Sequence, residues 1–430
     1  MAGQVAATEP EYIATEGPVP ESVGEVQAPA EVGFAPERPV TRGLFGLRSK
    51  LQGLPPFWSD ASVGLNLRSY YLERHNQDAP DNLGWAAGGS FDYQSGWWRE
   101  RLKVGAVAYT SQKLLGPKDK DGTLLLRPGQ RSFTVLGQAY LEGQLGGQIR
   151  FRLYRQTFTL PYVNAQDNRM APNTFEAYTL GRKGSGGVDF VLAHLTKMKT
   201  RNSNKFLSMS EAAGLPDTDE GLTMAGAYYP LGENAGVGFI DQHAWDFMNT
   251  AYTEGYAVWR LAETAGLRVA LQYTNQRSIG DELGGDFETD VFGASVDLSY
   301  RSAVVSLAFT TTDNGSDIRS PFGGYPGYLS MIVKDFDRAG EKAWLMGLSY
   351  DFGNLGLEGL SGSVKYGRGD TPDFSPDQDE LDITLDYRPE QGPLSGLWLR
   401  LRASTVNQHG AGAKDLKDYR VIVNYAVPLP

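Results

Sequence analysis

Apolar and polar residues alternate one by one over much of this chain, and that period of two is its most constraining feature. The alternation is clearest in segments 380–387, 396–404 and 419–427. Successive residues of a β-strand point to opposite faces, so each segment has one apolar side and one more polar side. An amphipathic helix would show a period of 3.6, so the pattern predicts an all-β protein.

From residue 62 onward we count about 18 such segments, each about 8 to 13 residues long, which suits a tilted membrane-spanning strand. Their centres are Leu67, Ser90, Ala106, Gly137, Arg152, Thr179, Ala193, Gly226, Gly238, Ala257, Ala270, Ser295, Leu307, Gly347, Val364, Thr384, Leu401 and Val423. The longest apolar run, about seven residues at 303–309, is too short for a membrane helix, which needs about 20 residues.

The connections between these segments differ in length according to their parity. Short connections follow even-numbered segments, around 143–147, 230–234, 301–302 and 353–354. Long connections follow odd-numbered segments, at about 111–130, 156–173, 199–219, 277–286, 313–340 and 369–378. This separation predicts a transmembrane up-and-down antiparallel β-barrel with short periplasmic turns and long extracellular loops. A soluble β-sandwich gives no reason for loop lengths to separate by parity.

Several even-numbered segments also end in an aromatic residue. These residues are Tyr93, Tyr229, Tyr300, Tyr350 with Phe352, Tyr387 and Tyr425. In the barrel they would share one rim, as expected for an aromatic girdle at a membrane interface. The alternative is that Tyr is simply common at strand ends.

If the apolar faces point to lipid, a set of basic residues on the opposite faces points into the lumen. The set is Arg68, Arg150, Arg152, Lys365, Arg400, Arg402 and Arg420. A basic residue facing lipid near the midplane costs about 2–4 kcal/mol, so inverting all of them would cost more than ~15 kcal/mol before relaxation. A typical fold has a total stability of about 5–15 kcal/mol, so the inverted arrangement is untenable.

Two explanations of this basic set stay open. Closure of the barrel would bring Arg68 near Arg420, with Arg400 and Arg402 one strand further on, so the guanidiniums could form a track for anions or carboxylate solutes. Alternatively, the arginines balance lumenal carboxylates. The candidates for that role are Asp92, Asp382 and Asp386.

The N-terminal region differs from the rest in composition. Residues 1–40 are rich in Ala, Pro, Glu and Val without a period, which predicts a disordered acidic arm. Residues 41–60 predict a short basic periplasmic segment, and 61–430 the barrel. The first residues have neither the basic start nor the apolar stretch of a signal peptide, so we expect either a cytoplasmic protein or a mature form with an added Met.

Other chemistry finds little support. A net charge of -11 argues against nucleic-acid binding, and the absence of Cys excludes disulfides and thiolate sites. None of the four histidines has metal-ligand spacing, and a calcium-like start at Asp119 fails because position 12 would be Gln130. Residues 217–220 leave an adventitious divalent cation open. We expect no catalytic residues, no cofactor and no dedicated metal site.

Longer stretches add a family resemblance. Residues 160–178, 199–206 and 320–344, together with 54–57 and 419–425, resemble the OprD-type outer-membrane porins of Gram-negative bacteria, and the resemblance extends over about 42–430. It implies an 18-stranded barrel, an inward-folded third loop at 156–173, a later loop at 313–340 that completes a constriction, and an arginine ladder. It also implies small carboxylate-bearing substrates, such as amino acids or aromatic acids. The acidic arm departs from the family pattern.

The two long loops supply candidates for the constriction. The first loop offers Tyr162, Asn164, Asp167, Asn168 and Arg169. The second offers Asp317, Arg319, Tyr325, Tyr328, Asp335, Asp337 and Arg338. These mixed charges and tyrosines could orient a zwitterion, or they could tie the loops down by internal hydrogen bonds.

Taken together, these features predict an outer-membrane porin that passes small solutes without covalent chemistry. Its expected surroundings are outer-membrane lipid and lipopolysaccharide, as a monomer or a loose homotrimer. One alternative is a lipase-like barrel enzyme, for which His194 on the lipid face is the only weak candidate. Another is a structural barrel with a plugged lumen.

Overall fold

A computed structural model of the chain describes residues 42–43, 51, 53–146, 148–182, 187–372, 375–389, 391–392 and 394–427. The predicted acidic arm at 1–40 lies outside these residues, and so does most of the basic part of 41–60. In the described part of that segment, helix α1 (Pro56–Ser59) lies against the turn after the second barrel strand, where the Gly96 amide donates to the Phe57 carbonyl (3.1 Å).

Eighteen antiparallel strands form the barrel. Labelled β1 to β18 in chain order, they are Ser62–Asn76, Asn82–Gln94, Leu102–Leu115, Phe133–Gly146, Ile149–Gln156, Thr174–Arg182, Asp189–Lys199, Leu222–Pro230, Ala235–Ala244, Met248–Ala262, Ala265–Ser278, Glu288–Tyr300, Ala303–Thr312, Lys342–Asp351, Leu360–Asp370, Asp377–Tyr387, Leu397–His409 and Leu416–Ala426. Every segment centre expected from the alternation lies inside one of these strands, so the predicted strand order is confirmed.

The barrel closes because its first and last strands pair. In the β1–β18 ladder, Arg68 is opposite Asn424 and Leu72 is opposite Arg420. Two short strands extend the sheet beyond the barrel: Arg42–Gly43 pairs with the start of β1, and Leu207–Ser208 pairs with β7. Closure leaves no exposed sheet edge around the circumference, which a chain in lipid requires.

Most connections follow the predicted parity, the exceptions being a short one at 245–247 after β9 and a longer one at 388–396 after β16. One end of the barrel has tight turns such as 263–264 and 301–302, and the other end has long loops at 116–132, 157–173, 200–221 and 313–341. A short helix, α2 (Met209–Ala212), lies in the third of these loops, with Ser208 accepting from the Glu211 amide at its N-cap. Single 3₁₀ turns occur at Lys118–Lys120 and Phe352–Leu355. Among the described residues, no helix combines the length and apolar character needed to cross a bilayer.

The two faces of the wall differ as predicted. On β16, Ile383 is 49% exposed on the outside, whereas its neighbours Asp382 and Thr384 are 4% and 6% exposed because they point into the barrel. Most large exposed hydrophobic side chains share the outer face, for example Leu307 and Met346. The buried apolar clusters lie on the inside, where loop residues pack against the wall. On the outer side, lipid therefore covers the apolar side chains that a protein core would cover in a soluble protein.

Candidate functional site

The lumen is narrowed by two connections that fold inward, the β5–β6 loop (157–173) and the β13–β14 loop (313–341). The Tyr162 hydroxyl donates to Thr274 Oγ1 on β11 (2.8 Å), and Gln242 on β9 donates to the Pro161 carbonyl (2.6 Å). These contacts carry the β5–β6 loop across the barrel from its own strands. The inward folding implied by the resemblance is thus present in both loops.

The two loops meet inside the barrel at Asn164. Its side-chain amide donates to the Gly324 carbonyl (3.0 Å) and accepts from the Gly324 amide (2.9 Å). Beside this junction the rings of Tyr162, Tyr252 and Tyr325 pack edge to face, with centroids 6.0–6.1 Å apart. The loops therefore narrow the lumen as one packed assembly.

A short stretch of the β13–β14 loop, residues 328–334, spans part of the lumen, and we call it the crossbar. At one end the Tyr328 hydroxyl donates to Glu254 Oε1 on β10 (3.2 Å). At the other end the Ile332 amide donates to Asp382 Oδ2 on β16 (2.9 Å). The passage left for solutes is bounded by the crossbar, the β5–β6 loop and the wall.

The basic side chains expected in the lumen all lie on inward-facing positions. Arg400 and Arg402 are on β17, Arg420 is on β18 and Arg68 is on β1, so these arginines share three adjacent strands. Arg402 and Arg420 are direct partners in the β17–β18 ladder. The others lie on strands that are not adjacent to this group. Arg150 and Arg152 are on β5, and Lys365 is on β15 opposite Asp382.

Most of these arginines have a carboxylate close by. The ion pairs are Arg68–Asp167 (2.9 Å), Arg152–Glu142 (2.5 Å), Arg400–Asp386 (2.7 Å) and Arg420–Asp418 (2.6 Å). Of the carboxylates expected to balance the set, Asp386 pairs with Arg400, and Asp382 is opposite Lys365 and also accepts from the Ile332 amide. Asp92 accepts from the Ser90 hydroxyl. An arginine of this lumen can therefore line the lumen and be neutralised by a carboxylate at the same time.

The accessibility of the basic side chains varies strongly. The Arg420 side chain is fully enclosed between Asp418 and the Ile332 carbonyl (2.9 Å), whereas that of Arg150 is 49% exposed. The Arg400 guanidinium lies over the Trp398 ring, 4.6 Å from its centroid. Arg402 donates to the Thr384 hydroxyl (3.2 Å). Arg420 therefore binds the crossbar and does not face an open part of the passage.

A second charged group lies across the barrel from these arginines, on β10 to β12. The Arg268 guanidinium is 3.7 Å from Glu254 and 3.6 Å from Asp297. The sequence reasoning missed this group. The alternation would have placed Glu254 and Asp297 on the inner face, but only the register brings Arg268 between them. The lumen thus has carboxylates facing an arginine-rich wall.

Several of the candidate constriction residues are buried and hold the loops in place through hydrogen bonds or ring contacts. Arg169 is fully buried and donates to the Thr123 carbonyl (2.9 Å), and Asn168 accepts from Arg201. Tyr162 and Tyr325 form the ring cluster described above. Arg319 donates to the Gly284 carbonyl (3.0 Å) and lies over the Phe287 ring. These contacts favour the hydrogen-bonding explanation for the loops.

The acidic candidates of the β13–β14 loop also form internal contacts. Asp317 accepts from the Ala339 amide (2.7 Å), and Arg338 forms an ion pair with Glu341 (2.7 Å). Asp335 accepts from the Ser330 hydroxyl (2.5 Å), and burial raises its pKa to about 7. Burial and the neighbouring charge of Asp335 raise the pKa of Asp337 well above its ordinary value. Of the candidates, Asp167 and Tyr328 reach charged groups of the wall.

An enzyme would need a catalytic group such as His194, and a metal site would need a cluster of ligating side chains. His194 lies on the outer face with Nδ1 2.9 Å from Thr223 Oγ1, so its neighbour is a threonine on the adjacent strand. Within the described ranges, no three His, Asp or Glu side chains form a metal-binding group.

Comparisons with known proteins agree with this architecture. The model of the family described as outer membrane porin, OprD family, matches residues 55–429. Porin D of Pseudomonas aeruginosa is 22% identical over 412 residues, covering 87% of this chain and 92% of that protein. The porin-like protein GalP of Pseudomonas putida is 21% identical over 387 residues, covering 87% and 93%.

Solved structures show the same fold. OccK9 (OpdG) of Pseudomonas aeruginosa matches with a TM-score of 0.79 and 22% identity, covering 86% of this chain and 99% of that one. The structure of OpdK from the same organism with vanillate matches with a TM-score of 0.78 and 23% identity, with the same coverage. Porins are channels rather than enzymes. Because the family model spans nearly the whole barrel, this chain belongs to the OprD family of outer-membrane porins and is a channel of the Gram-negative outer membrane.

Proposed function

We propose that this channel passes small carboxylate-bearing solutes, such as amino acids or small aromatic acids, by passive diffusion along its arginine wall. The observation that carries the proposal is the grouping of Arg68, Arg400 and Arg402 on neighbouring strands beside the loops. Guanidinium groups bind carboxylates in a bidentate geometry, and a narrow lumen with low-dielectric walls concentrates the positive potential. Arg150, Arg152 and Lys365 extend the track on either side.

Pairing with carboxylates weakens the attraction of these arginines for anions, and weak binding favours transport. An arginine already paired with Asp167 or Asp386 attracts a passing anion less strongly than an isolated one. Conduction requires binding that is favourable enough for entry and weak enough for release. The paired side chains of Arg68 and Arg400 are 9% and 4% exposed, so they would add positive potential while the more accessible Arg402 and Arg150 contact the solute. The carboxylates around Arg268 on the opposite side would orient the amino group of a zwitterion.

A relative supports the solute class. The structure of OpdK, which shares this fold, contains vanillate, an aromatic carboxylate. We propose the same class of solute here. No covalent step belongs to the proposal. The outward apolar surface would contact lipid and lipopolysaccharide, and assembly as a monomer or a loose homotrimer stays a proposal.

The test compares a carboxylate with its neutral amide in proteoliposomes. The double variant Arg400→Ala/Arg402→Ala should slow benzoate uptake at least about tenfold, since each lost charge-assisted pair contributes roughly 1.5–3 kcal/mol. Benzamide uptake should change little. Arg260→Ala, at an exposed position near the end of β10, removes one positive charge far from the arginines of β17, β18 and β1 and serves as the control. Unchanged benzoate uptake in the double variant would refute the arginine track.

Two simple measurements separate the alternatives. Stepwise ion conductance in planar bilayers is expected for an open channel and would be absent from a plugged structural barrel. A lipase-like enzyme would hydrolyse an ester substrate, and we expect no turnover that depends on His194.

A further inference from the structure

Three consecutive backbone amides of the crossbar donate to two side chains of β16. The Ile332 amide donates to Asp382 Oδ2 (2.9 Å), the Val333 amide to Glu380 Oε1 (2.8 Å) and the Lys334 amide to Glu380 Oε2 (2.7 Å). Glu380 and Asp382 are two residues apart on one strand, so both point into the lumen. Both are almost completely buried.

Neighbouring strands complete this attachment. Ser404 on β17 donates to Glu380 Oε1 (2.9 Å), and Arg420 on β18 donates to the Ile332 carbonyl (2.9 Å). Ile332 and Val333 also pack against Val406 of β17. Three adjacent strands therefore hold both the polar backbone and the apolar side chains of this end of the crossbar.

The wall is also shaped to receive the loop. A Cβ atom at Gly367 of β15 would lie 2.6 Å from Met331 Sδ, and one at Gly369 would lie 2.0 Å from Glu341 Oε1. The loop therefore approaches β15 more closely than a side chain at either glycine would permit.

The crossbar is attached at both ends but is not extended between them. The Ser330 amide donates to the Gly327 carbonyl (3.0 Å) and the Met331 amide to the Lys334 carbonyl (2.9 Å), so the stretch contains tight turns. Because Glu254 on β10 holds Tyr328, release of the β16 end would leave that second attachment in place. If the β16 end were released, the crossbar could swing away from β16 and widen the passage.

We propose that Glu380 and Asp382 are positioning residues that hold the crossbar and thereby set the size limit of the channel. Their role differs from that of the arginines because their oxygens point at backbone amides of the loop. The inference rests on the channel function of the family and is independent of the proposed preference for carboxylates.

The side-chain chemistry makes Glu380→Gln a sharp test. Both oxygens of Glu380 accept amide hydrogens, and a glutamine side chain has a single acceptor oxygen. Its amide nitrogen would face a backbone N–H, donor against donor. Losing one of these hydrogen bonds and leaving a buried backbone amide without an acceptor should populate the released crossbar roughly 10- to 100-fold more often.

Asp386→Asn is the matched control. Asp386 lies on the same strand and the same face, but it accepts hydrogen bonds from Trp398 and Arg400 of the wall. Both variants replace one carboxyl group of β16 by its amide. Greater noise and passage of larger solutes are expected only in Glu380→Gln.

The experiment records single-channel KCl currents and the size cut-off for neutral polyethylene glycols, with heat-modifiable gel mobility as the check on folding. Val333→Pro is a second variant that removes one amide donor from the loop side and leaves the eighteen strands unaltered. We expect flickering currents and a larger size cut-off in both Glu380→Gln and Val333→Pro. Quiet currents and an unchanged cut-off in whichever of them folds would overturn the proposal. Because neither probe carries a carboxylate, the result does not depend on the arginine track.

Discussion

The barrel wall and the two inserted loops are stabilised in different ways. Along the wall, each strand pairs its backbone with the next one, and side chains need only be apolar outside and polar inside. In the loops, each buried polar group needs its own partner, such as Thr123 for Arg169 or Gly324 for Asn164. The wall therefore tolerates substitutions that keep the alternation, whereas the loops depend on particular pairs.

The difference matters for function because the wall encloses the lumen and the loops narrow it. Arg400 and Arg402 belong to the wall, so in the proposed function the loops would limit how closely a solute approaches them. Asp167 of the β5–β6 loop pairs with Arg68, so one loop also tunes the charge of the wall.

The largest expected effect comes from breaking the alternation of the wall. Ile383→Arg places a charge on the outer face near the middle of β16 and should cost about 2–4 kcal/mol of stability in the bilayer. Leu394→Arg, in the turn region after β16, should cost about 0–1 kcal/mol because charges near the interface are tolerated. Urea titration of folding into vesicles measures both, and equal costs would contradict the assignment of faces.

A smaller effect is expected from the titration of the β13–β14 loop. Burial raises the pKa of Asp335 to about 7, so the docked loop retains a proton that an exposed carboxyl would already have lost. The contribution of Asp335 to docking should therefore be largest at low pH, fall as the pH rises towards about 7 and change little above that. Asp337, whose pKa burial also raises, acts in the same direction.

Trypsin cleavage after Lys334 or Arg338 measures this titration, with rates corrected by a small reference substrate at each pH. Cleavage should be faster at pH 8 than at pH 6, and Asp335→Asn should reduce that ratio without abolishing it, because Asp337 remains. An identical ratio in the variant would show that Asp335 does not control docking.

The smallest effect is expected from removing the acidic arm. Deleting residues 1–40 should leave folding of the barrel intact, because the composition of the arm offers little apolar surface to bury. Heat-modifiable mobility on gels measures this, and its loss after the deletion would show that the arm contributes to the fold.

Sequence patterns predicted the wall well for a physical reason. The alternation is a local property, so the eighteen strands, the outward position of Ile383 and the inward position of Arg68 follow from residues close together in the chain. Loop parity indicated which connections are long, and the family resemblance indicated which of them fold inward. The pairing of Arg400 with Asp386 could be anticipated because adjacent strands carry both residues.

The tertiary structure alone decided the partners. Whether Tyr162 faces solvent or packs against Tyr325 depends on two loops far apart in the sequence meeting at Asn164. Glu142 and Asp418 were not recognised as partners because ion pairing depends on register and side-chain rotamers. The alternation of side chains thus determined a closed tube with a basic interior, whereas long-range contacts decided the shape of its opening. The reason is that contact with lipid requires only that each outward side chain be apolar, whereas a buried polar group requires a specific neighbour.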